Sequence, residues 1–143
     1  MIKITGGRTI PATIVVAPGT RLSFENRDPF PHKLYAVGQP WRAEPINGGA
    51  RREWSAPGPG RFEFRDELFP SVRSYVVVEP QVVDVAYPGR DGAFAMNLSS
   101  GDYVLKAYFS GKQVGKPISV SVKGNQLVDL KDPLNVAEGG DTK

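Results

Sequence analysis

The sequence predicts an all-β protein made of short strands joined by tight turns. Apolar and polar residues alternate in many segments, as they do in strands with one buried face, and no window keeps an apolar stripe at helical spacing. The 143 residues include 16 glycines and 13 prolines, which supply turns between the strands. A hydrophobic content of 40% and a charged content of 23% are typical of a folded domain.

Six strands are predicted in a first unit, residues 1–80. The segment "ATIVVA" (12–17) is a continuous apolar run that the turn residues "PGT" close. The segment "RLSFE" (21–25) alternates, so its two apolar residues should face the core. The segment "KLYAV" (33–37), which follows a proline-rich loop, is predicted to be the third strand.

The other three strands of this unit follow a long loop. The segment "RREWSA" (51–56) leads into the turn "PGPG", and "RFEFR" (61–65) again alternates and should bury its two phenylalanines. The segment "SYVVVE" (74–79) is apolar enough to be a central strand. Pro80 then ends the first unit.

Residues 81–130 are predicted to form a second, smaller β-unit of four or five strands. The predicted strands are "VVDVAY" (82–87), "AFAMNL" (93–98), "YVLKAYF" (103–109), "ISVSV" (118–122) and "QLVDL" (126–130). Residues 131–143 have low hydrophobicity and two adjacent glycines, which predicts a flexible tail or a linker.

The composition of the chain excludes several kinds of site and partner. The chain has no cysteine, which excludes disulfides, thiolate metal ligands and cysteine nucleophiles. The net charge of +3 is modest and acidic residues are interleaved with the basic ones, so nucleic acid is not expected as a partner. No apolar run is long enough to span a membrane, and no export signal is visible, although one could have been removed.

Residues 3–79 resemble the cupredoxin fold, the plastocyanin-like copper β-sandwich. Four pieces carry the resemblance, in the order "IPATIVVAPGTRLSFENRD", "PHKLYAVG", "GPGRFEFRDE" and "LFPSVRSYVVV". Members with this pattern carry a histidine shortly after a Phe-x-Asn-x-Asp segment and a late loop of the form Cys-x-x-His-Pro-x-Met. The resemblance implies a Greek-key β-sandwich and a periplasmic or cell-surface location.

On this pattern the copper site of the chain is degenerate. His32 keeps the first histidine position. Asp66 stands at the cysteine position, Phe69 at the second histidine and Val72 at the methionine. Type 1 copper needs a thiolate, two imidazoles and a weak axial thioether, so no copper and no other cofactor is expected. Phe69 and Val72 should fill the former metal pocket, and Asp66 should lie near His32, where an ion pair or hydrogen bond could replace the metal.

The second unit is similar to the carboxypeptidase regulatory-like module, a small transthyretin-related β-sandwich of Ig-like form. The segment "DGAFAMNLSSGDYVLKAYFSGKQVGKPISVSV" carries the similarity, with an Asp-Gly turn before one strand and Gly-x-Tyr opening the next. The positions that fit are Asp91, Gly92, Gly101, Tyr103 and Gly111. The early strands of a complete module are missing, so an abbreviated module is expected.

The segment "QPWRAEPINGGARREW" (39–54) is predicted to be a long loop and the main candidate binding surface, since arginine and tryptophan are enriched at binding hot spots. Its candidate residues are Trp41, Arg42, Arg51, Arg52 and Trp54. The alternative is that nearby glutamates pair these arginines on a solvated face while one tryptophan fills the core.

His32, the only histidine, has a second interpretation as a metal ligand. With Asp66 and Glu67 it could hold copper(II) or zinc weakly, although a tight site normally needs three or four protein ligands. The same two carboxylates are poorly placed for glycoside hydrolysis, because adjacent residues of a strand point to opposite faces. No Gly-x-Ser-x-Gly motif supports a serine triad, so no enzymatic activity is expected.

The sequence as a whole predicts a non-enzymatic, copper-free binding or structural protein, an exported component of a larger protein assembly. A protein partner is expected through the arginine and tryptophan loop or an exposed sheet edge, and oligomers are compatible with this prediction. Two alternatives stay open: a weak copper or zinc carrier, and a carbohydrate-binding module that recognises a polysaccharide through Trp41 or Trp54.

Overall fold

The computed structural model describes residues 1–123, and the described chain is all-β, as the sequence predicts. The predicted strand 126–130 and the predicted tail 131–143 lie outside the described residues. The chain divides into two compact units, Met1–Gln81 and Val82–Lys143. Within residues 1–123, no helix is long and apolar enough to cross a membrane.

Two sheets form the first unit, in the strand orders β2-β1-β4-β7 and β3-β9-β8-β5-β6. The strands are β1 (Ile2–Thr5), β2 (Arg8–Ile10), β3 (Thr13–Val16), β4 (Arg21–Asn26), β5 (His32–Ala36), β6 (Glu44–Ile46), β7 (Arg51–Ser55), β8 (Gly60–Asp66) and β9 (Arg73–Val78). β1 pairs parallel to β4 and β3 parallel to β9, whereas the other neighbours are antiparallel.

Three short strands were not predicted from the sequence patterns, namely β1, β2 and β6. β1 and β2 are joined by Gly6 and Gly7, whose φ angles of 60° and 72° are the left-handed conformation that a tight two-residue hairpin turn needs. β6 lies inside segment 39–54, where the sequence predicts a loop. Strands of three or four residues are too short to show a reliable alternation.

The core is built from inward-facing side chains of both sheets. Phe24 of β4 and Phe64 of β8 are fully buried, and their ring centroids lie 4.9 Å apart. Trp54 of β7 meets Phe64 edge-on at 5.0 Å. Tilted and edge-on ring contacts of this kind stabilise a core beyond the burial of apolar area.

The second unit contains one hairpin among its described residues, formed by β10 (Gly101–Phe109) and β11 (Lys112–Val122). The predicted strands at 82–87 and 93–98 are wrong, because neither segment is a strand in the structure. An alternating segment becomes a strand only beside a neighbour that completes its backbone hydrogen bonds, and no described strand pairs with either segment. The likeness to a carboxypeptidase regulatory-like module therefore stays a prediction.

Ser74 is an exception in the apolar core of the first unit. Its side chain is fully buried, and among the described residues its hydroxyl has no hydrogen-bond partner. An unpaired buried hydroxyl costs free energy, so we expect Ser74→Ala to raise the free energy of unfolding by about 1 kcal/mol in urea denaturation. Ser55→Ala, on the exposed side of β7, should change it by less than about 0.5 kcal/mol. A less stable Ser74→Ala protein would show that the hydroxyl has a partner.

Candidate functional site

The predicted metal-ligand positions meet at one end of the first unit. His32 begins β5 and Asp66 ends β8, and these two strands pair antiparallel with Leu34 opposite Asp66. Phe69 and Val72 lie in the loop that connects β8 to β9. The pairing of β5 with β8 therefore brings together the four positions that the sequence singles out.

His32 is the centre of a buried hydrogen-bonded cluster. Its side chain is fully buried, with Nδ1 2.5 Å from Oδ2 of Asp66 and Nε2 2.8 Å from Oδ2 of Asp28. Each ring nitrogen is therefore hydrogen-bonded to one carboxyl group. The predicted proximity of Asp66 to His32 is confirmed, and Asp28 is a second partner that the sequence analysis did not name.

Backbone amides hold both carboxylates in place. Oδ1 of Asp66 accepts hydrogen bonds from the backbone N–H groups of Lys33 at 3.0 Å and Leu68 at 2.8 Å. Asp28 accepts from the N–H of Gly6 at 2.7 Å and that of Gly7 at 3.3 Å. The Asp28–His32–Asp66 cluster therefore links the β1–β2 turn, the β4–β5 loop and the β8–β9 loop.

Asn26 orients the Asp28 side of this cluster. Its side-chain Oδ1 accepts a hydrogen bond from the N–H of Asp28 at 2.9 Å, and its Nδ2 donates to the carbonyls of Phe30 and Ile46. Sequence reasoning missed both Asn26 and Asp28. The available signal was the "FENRD" segment just before the loop, because asparagine and aspartate at such positions hydrogen-bond nearby backbone groups.

The surroundings of Asp28 in the cluster change the pKa of its carboxyl group. Burial raises this pKa, but the hydrogen bonds from His32, Gly6 and Gly7 and the charge of His32 together outweigh the effect of burial. The pKa of Asp28 therefore lies below its ordinary value, which means that the fold stabilises the ionised carboxylate.

Apolar side chains fill the rest of this end. The ring of Phe69 lies 4.9 Å from the imidazole of His32, and the ring of Phe30 lies 5.4 Å from it. Val72 is fully buried in the core. Phe69 and Val72 thus pack at the positions where the sequence analysis expects apolar side chains. That they fill a former metal pocket stays a prediction.

These residues do not fit a copper ion. The chain offers no thiolate, Phe69 and Val72 carry no ligand atom, and both nitrogens of His32 are already hydrogen-bonded to carboxyl groups. Glu67, the other predicted weak ligand, is exposed and lies 3.4 Å from Nζ of Lys33 rather than beside His32. Within residues 1–123, no group of three or more histidine, cysteine or acidic side chains could hold a metal ion.

Segment 39–54 places its predicted binding residues in different surroundings. The guanidinium of Arg52 stacks 3.4 Å from the ring centre of Trp41, and its Nη1 donates to the carbonyl of Leu34 at 2.8 Å. The indole of Trp41 donates to the carbonyl of Glu53. Burial lowers the pKa of Arg52, partly offset by the charge of Glu44. Arg52 and Trp41 thus form a structural pair that closes this segment onto the sandwich.

Trp54 lies in the core rather than on the surface, which corrects the prediction that it is an exposed binding residue. Only 7% of it is exposed, because its inward position on β7 packs it against Phe62 and Phe64. Arg42 and Arg51 do lie on the surface, and Arg51 is near Glu25 at 3.9 Å. Trp41 is half-buried against the core, whereas Arg42 and Arg51 are exposed. That these residues bind a partner stays a prediction.

Comparisons with solved structures identify the fold. A reduced mutant of amicyanin matches at 18% identity and a TM-score of 0.51, covering 55% of this chain and 79% of that one. The purple cupredoxin of Nitrosopumilus maritimus matches at 24% identity and a TM-score of 0.50, covering 55% and 97%. The copper-containing nitrite reductase of Thermus scotoductus SA-01 matches at 17% identity and a TM-score of 0.52, covering 57% of this chain and 22% of that one.

These similarities establish that the chain contains a cupredoxin-like Greek-key β-sandwich, as the sequence predicts. At such low identity they concern the fold alone. No family model matches the sequence, and no curated protein matches it either.

Because of Asp28, the free energy of unfolding of the first unit should depend on pH. Because its folded pKa is lowered, the stabilisation is fully present above its unfolded value of 3.8 and is lost as the pH falls through the folded value. We expect Asp28→Asn to reduce the free energy of unfolding by about 3 kcal/mol at neutral pH, as when one partner of a buried charge pair is removed. The difference from the unmodified protein should shrink as the pH falls below 3.8.

Urea denaturation of both proteins at a series of pH values measures this difference. Glu67→Gln is a matched control, since it neutralises an exposed carboxylate in the β8–β9 loop. A difference between Asp28→Asn and the unmodified protein that stays constant into strong acid would contradict the assignment.

Proposed function

We propose that this protein is a non-enzymatic, copper-independent binding or structural component of a larger protein assembly. The observation that carries the proposal is the Asp28–His32–Asp66 cluster. Both ring nitrogens of His32 lie within hydrogen-bond distance of a carboxylate oxygen, so neither is open to a metal ion. The end of the sandwich that holds copper in an electron-transfer cupredoxin is here a hydrogen-bonded cross-link between loops.

A partner is proposed to bind beside the Trp41–Arg52 stack. We define the Trp41 surface as the half-buried ring of Trp41 with the exposed side chains of Arg42, Glu44 and Arg51. The stack fixes the backbone of this segment, so its exposed side chains are presented without a large ordering cost on binding. Tryptophan and arginine together favour a protein partner.

The location proposed for this assembly is outside the cytoplasm, at the periplasmic or cell-surface side. The support is the cupredoxin-like fold, since domains of this kind usually work after export. The absence of cysteine says little about the compartment, because a sandwich with a full core needs no disulfide in an oxidising space.

The two alternative functions have less support. A weak metal carrier needs Glu67 beside His32, and Glu67 lies on the surface near Lys33 instead. A carbohydrate-binding module needs an open aromatic face, whereas Arg52 covers one face of Trp41 and Trp54 is buried. No observation specifically favours either.

Metal titration tests the copper-independent function directly. We expect purified protein to contain no stoichiometric copper or zinc, and calorimetric titration with copper(II) or zinc to show no binding tighter than about 100 µM. Elemental analysis and calorimetry of the unmodified protein and His32→Ala make the measurement. Stoichiometric, His32-dependent binding at micromolar concentrations would overturn the proposal in favour of a metal carrier.

Substitutions at the Trp41 surface test the proposed binding role. We expect a protein captured from an extract of the natural source to be retained by the unmodified chain and reduced at least about fivefold with Arg42→Ala/Arg51→Ala, because these are its exposed cationic contacts. Quantitative mass spectrometry of the captured material measures the ratio. Arg90→Ala/Lys116→Ala is the matched control, since both residues are exposed and belong to the second unit. Equal retention by both variants would refute this surface.

A further inference from the structure

The sheet β2-β1-β4-β7 has a basic outer face. Side chains alternate along a strand, and the buried Ile2, Ile4, Leu22 and Phe24 point into the core, so the residues between them point outward. Every strand of this sheet contributes an outward cation. We define the cationic face as the outer side of this sheet, with the basic residues Lys3 of β1, Arg8 of β2, Arg21 of β4, Arg51 of β7 and Arg27 just after β4.

Two glutamates on the cationic face hold three of its arginines. Nε of Arg27 lies 3.1 Å from Oε1 of Glu25, and Nη2 of Arg51 lies 3.9 Å from Oε2 of the same side chain. Nη1 of Arg21 lies 3.7 Å from Oε1 of Glu53. All three arginine side chains are nevertheless at least half exposed. Since Glu25 carries one negative charge for two arginines, positive charge remains at the surface.

The positive charge of the first unit is concentrated on this face. Residues 1–81 contain eleven lysines and arginines and eight acidic residues, an excess of three positive charges when the histidine is neutral. Five of these cations and two of these acids belong to the cationic face. The rest of the unit has six of each, so the whole excess lies on one side of the sandwich.

Two exposed apolar side chains accompany these cations. Ile10 is 53% exposed and lies opposite Lys3 in the pairing of β1 with β2, so its side chain shares the outer face. Met1, next to the start of β1, is 51% exposed. The cationic face therefore offers apolar groups beside its charges.

This combination favours an anionic lipid surface as the partner. Neighbouring strands lie about 4.8 Å apart, so cations on four strands spread over roughly 14 Å of sheet width. A layer of lipid phosphates can meet all of them, whereas one small anion reaches only the nearest. Basic side chains are attracted to an anionic membrane, and apolar side chains beside them enter the interfacial layer. A second copy of the same face is disfavoured, because like charges would meet.

We propose that the cationic face binds the surface of a membrane that contains anionic phospholipid, with Ile10 and Met1 in the interfacial layer. The attachment is peripheral and weakens with salt, since electrostatic attraction provides much of the affinity. This inference goes beyond the proposed protein partner and does not rest on it. Only Arg51 belongs to both surfaces, and the variants below leave it unchanged, so each proposal can fail without the other.

Sedimentation of the full chain with lipid vesicles tests this proposal. The anionic probe is phosphatidylcholine vesicles containing about one-third phosphatidylglycerol, and pure phosphatidylcholine vesicles are the neutral probe. We expect the protein to bind the anionic vesicles at low salt and to bind the neutral vesicles at least about tenfold more weakly. Binding to the anionic vesicles should decrease progressively as the salt concentration rises.

Two double variants test whether the cationic face is responsible. A basic residue near an anionic surface contributes about fivefold in affinity, so Arg8→Ala/Arg21→Ala should lower the partition constant on anionic vesicles at least about tenfold. Arg65→Ala/Arg73→Ala is the matched control, because it removes two exposed arginines from the outer face of the other sheet. It should lower the constant less than about threefold. Far-UV circular dichroism checks that both variants are folded.

Three outcomes would overturn the proposal. The first is no binding to anionic vesicles at low salt. The second is an equal loss in the two double variants, which would show that net charge rather than this face attracts the protein. The third is binding to polyglutamate without binding to vesicles, which would assign the cationic face to an acidic protein.

Discussion

The first unit depends on one constraint: a fully buried imidazole must have partners for both of its nitrogens. Asp66 and Asp28 provide them, and the carboxylate oxygens in turn accept hydrogen bonds from backbone amides of the β1–β2 turn, β5 and the β8–β9 loop. Buried charges are costly unless they are paired and hydrogen-bonded, and here the pairing is complete on both sides of His32. The β1–β2 turn, the β4–β5 loop and the β8–β9 loop are therefore positioned by the hydrogen bonds that this one side chain requires.

β5 connects the Asp28–His32–Asp66 cluster to the candidate binding surface. Its first residue, His32, belongs to the cluster, and the N–H of Lys33 donates to Asp66. The carbonyl of the following residue, Leu34, accepts a hydrogen bond from Arg52, and the guanidinium of Arg52 stacks on Trp41. Three consecutive residues of one strand thus connect the Asp28–His32–Asp66 cluster to the segment proposed to bind a partner.

Much of the first unit could be predicted from sequence because its strands are long enough to alternate or to form apolar runs. The pairing of His32 with Asp66 was predictable because the cupredoxin pattern places both at one metal position. Asp28 was not predicted, since its role depends on the β1–β2 turn that supplies two amides, and β1 and β2 are too short to recognise. Trp41 and Trp54 share one sequence segment, and only the inward position on β7 distinguishes the buried one.

The second unit shows what a sequence pattern cannot decide alone. Its segments 82–87 and 93–98 have strand-like patterns, yet a strand exists only where a neighbour completes its hydrogen bonds. Among the described residues, five of the ten exposed large hydrophobic side chains lie in residues 82–123: Val83, Tyr87, Phe94, Val104 and Phe109. This segment is about half as long as the first unit, so apolar exposure is concentrated in it. Such concentration favours contact with other chains.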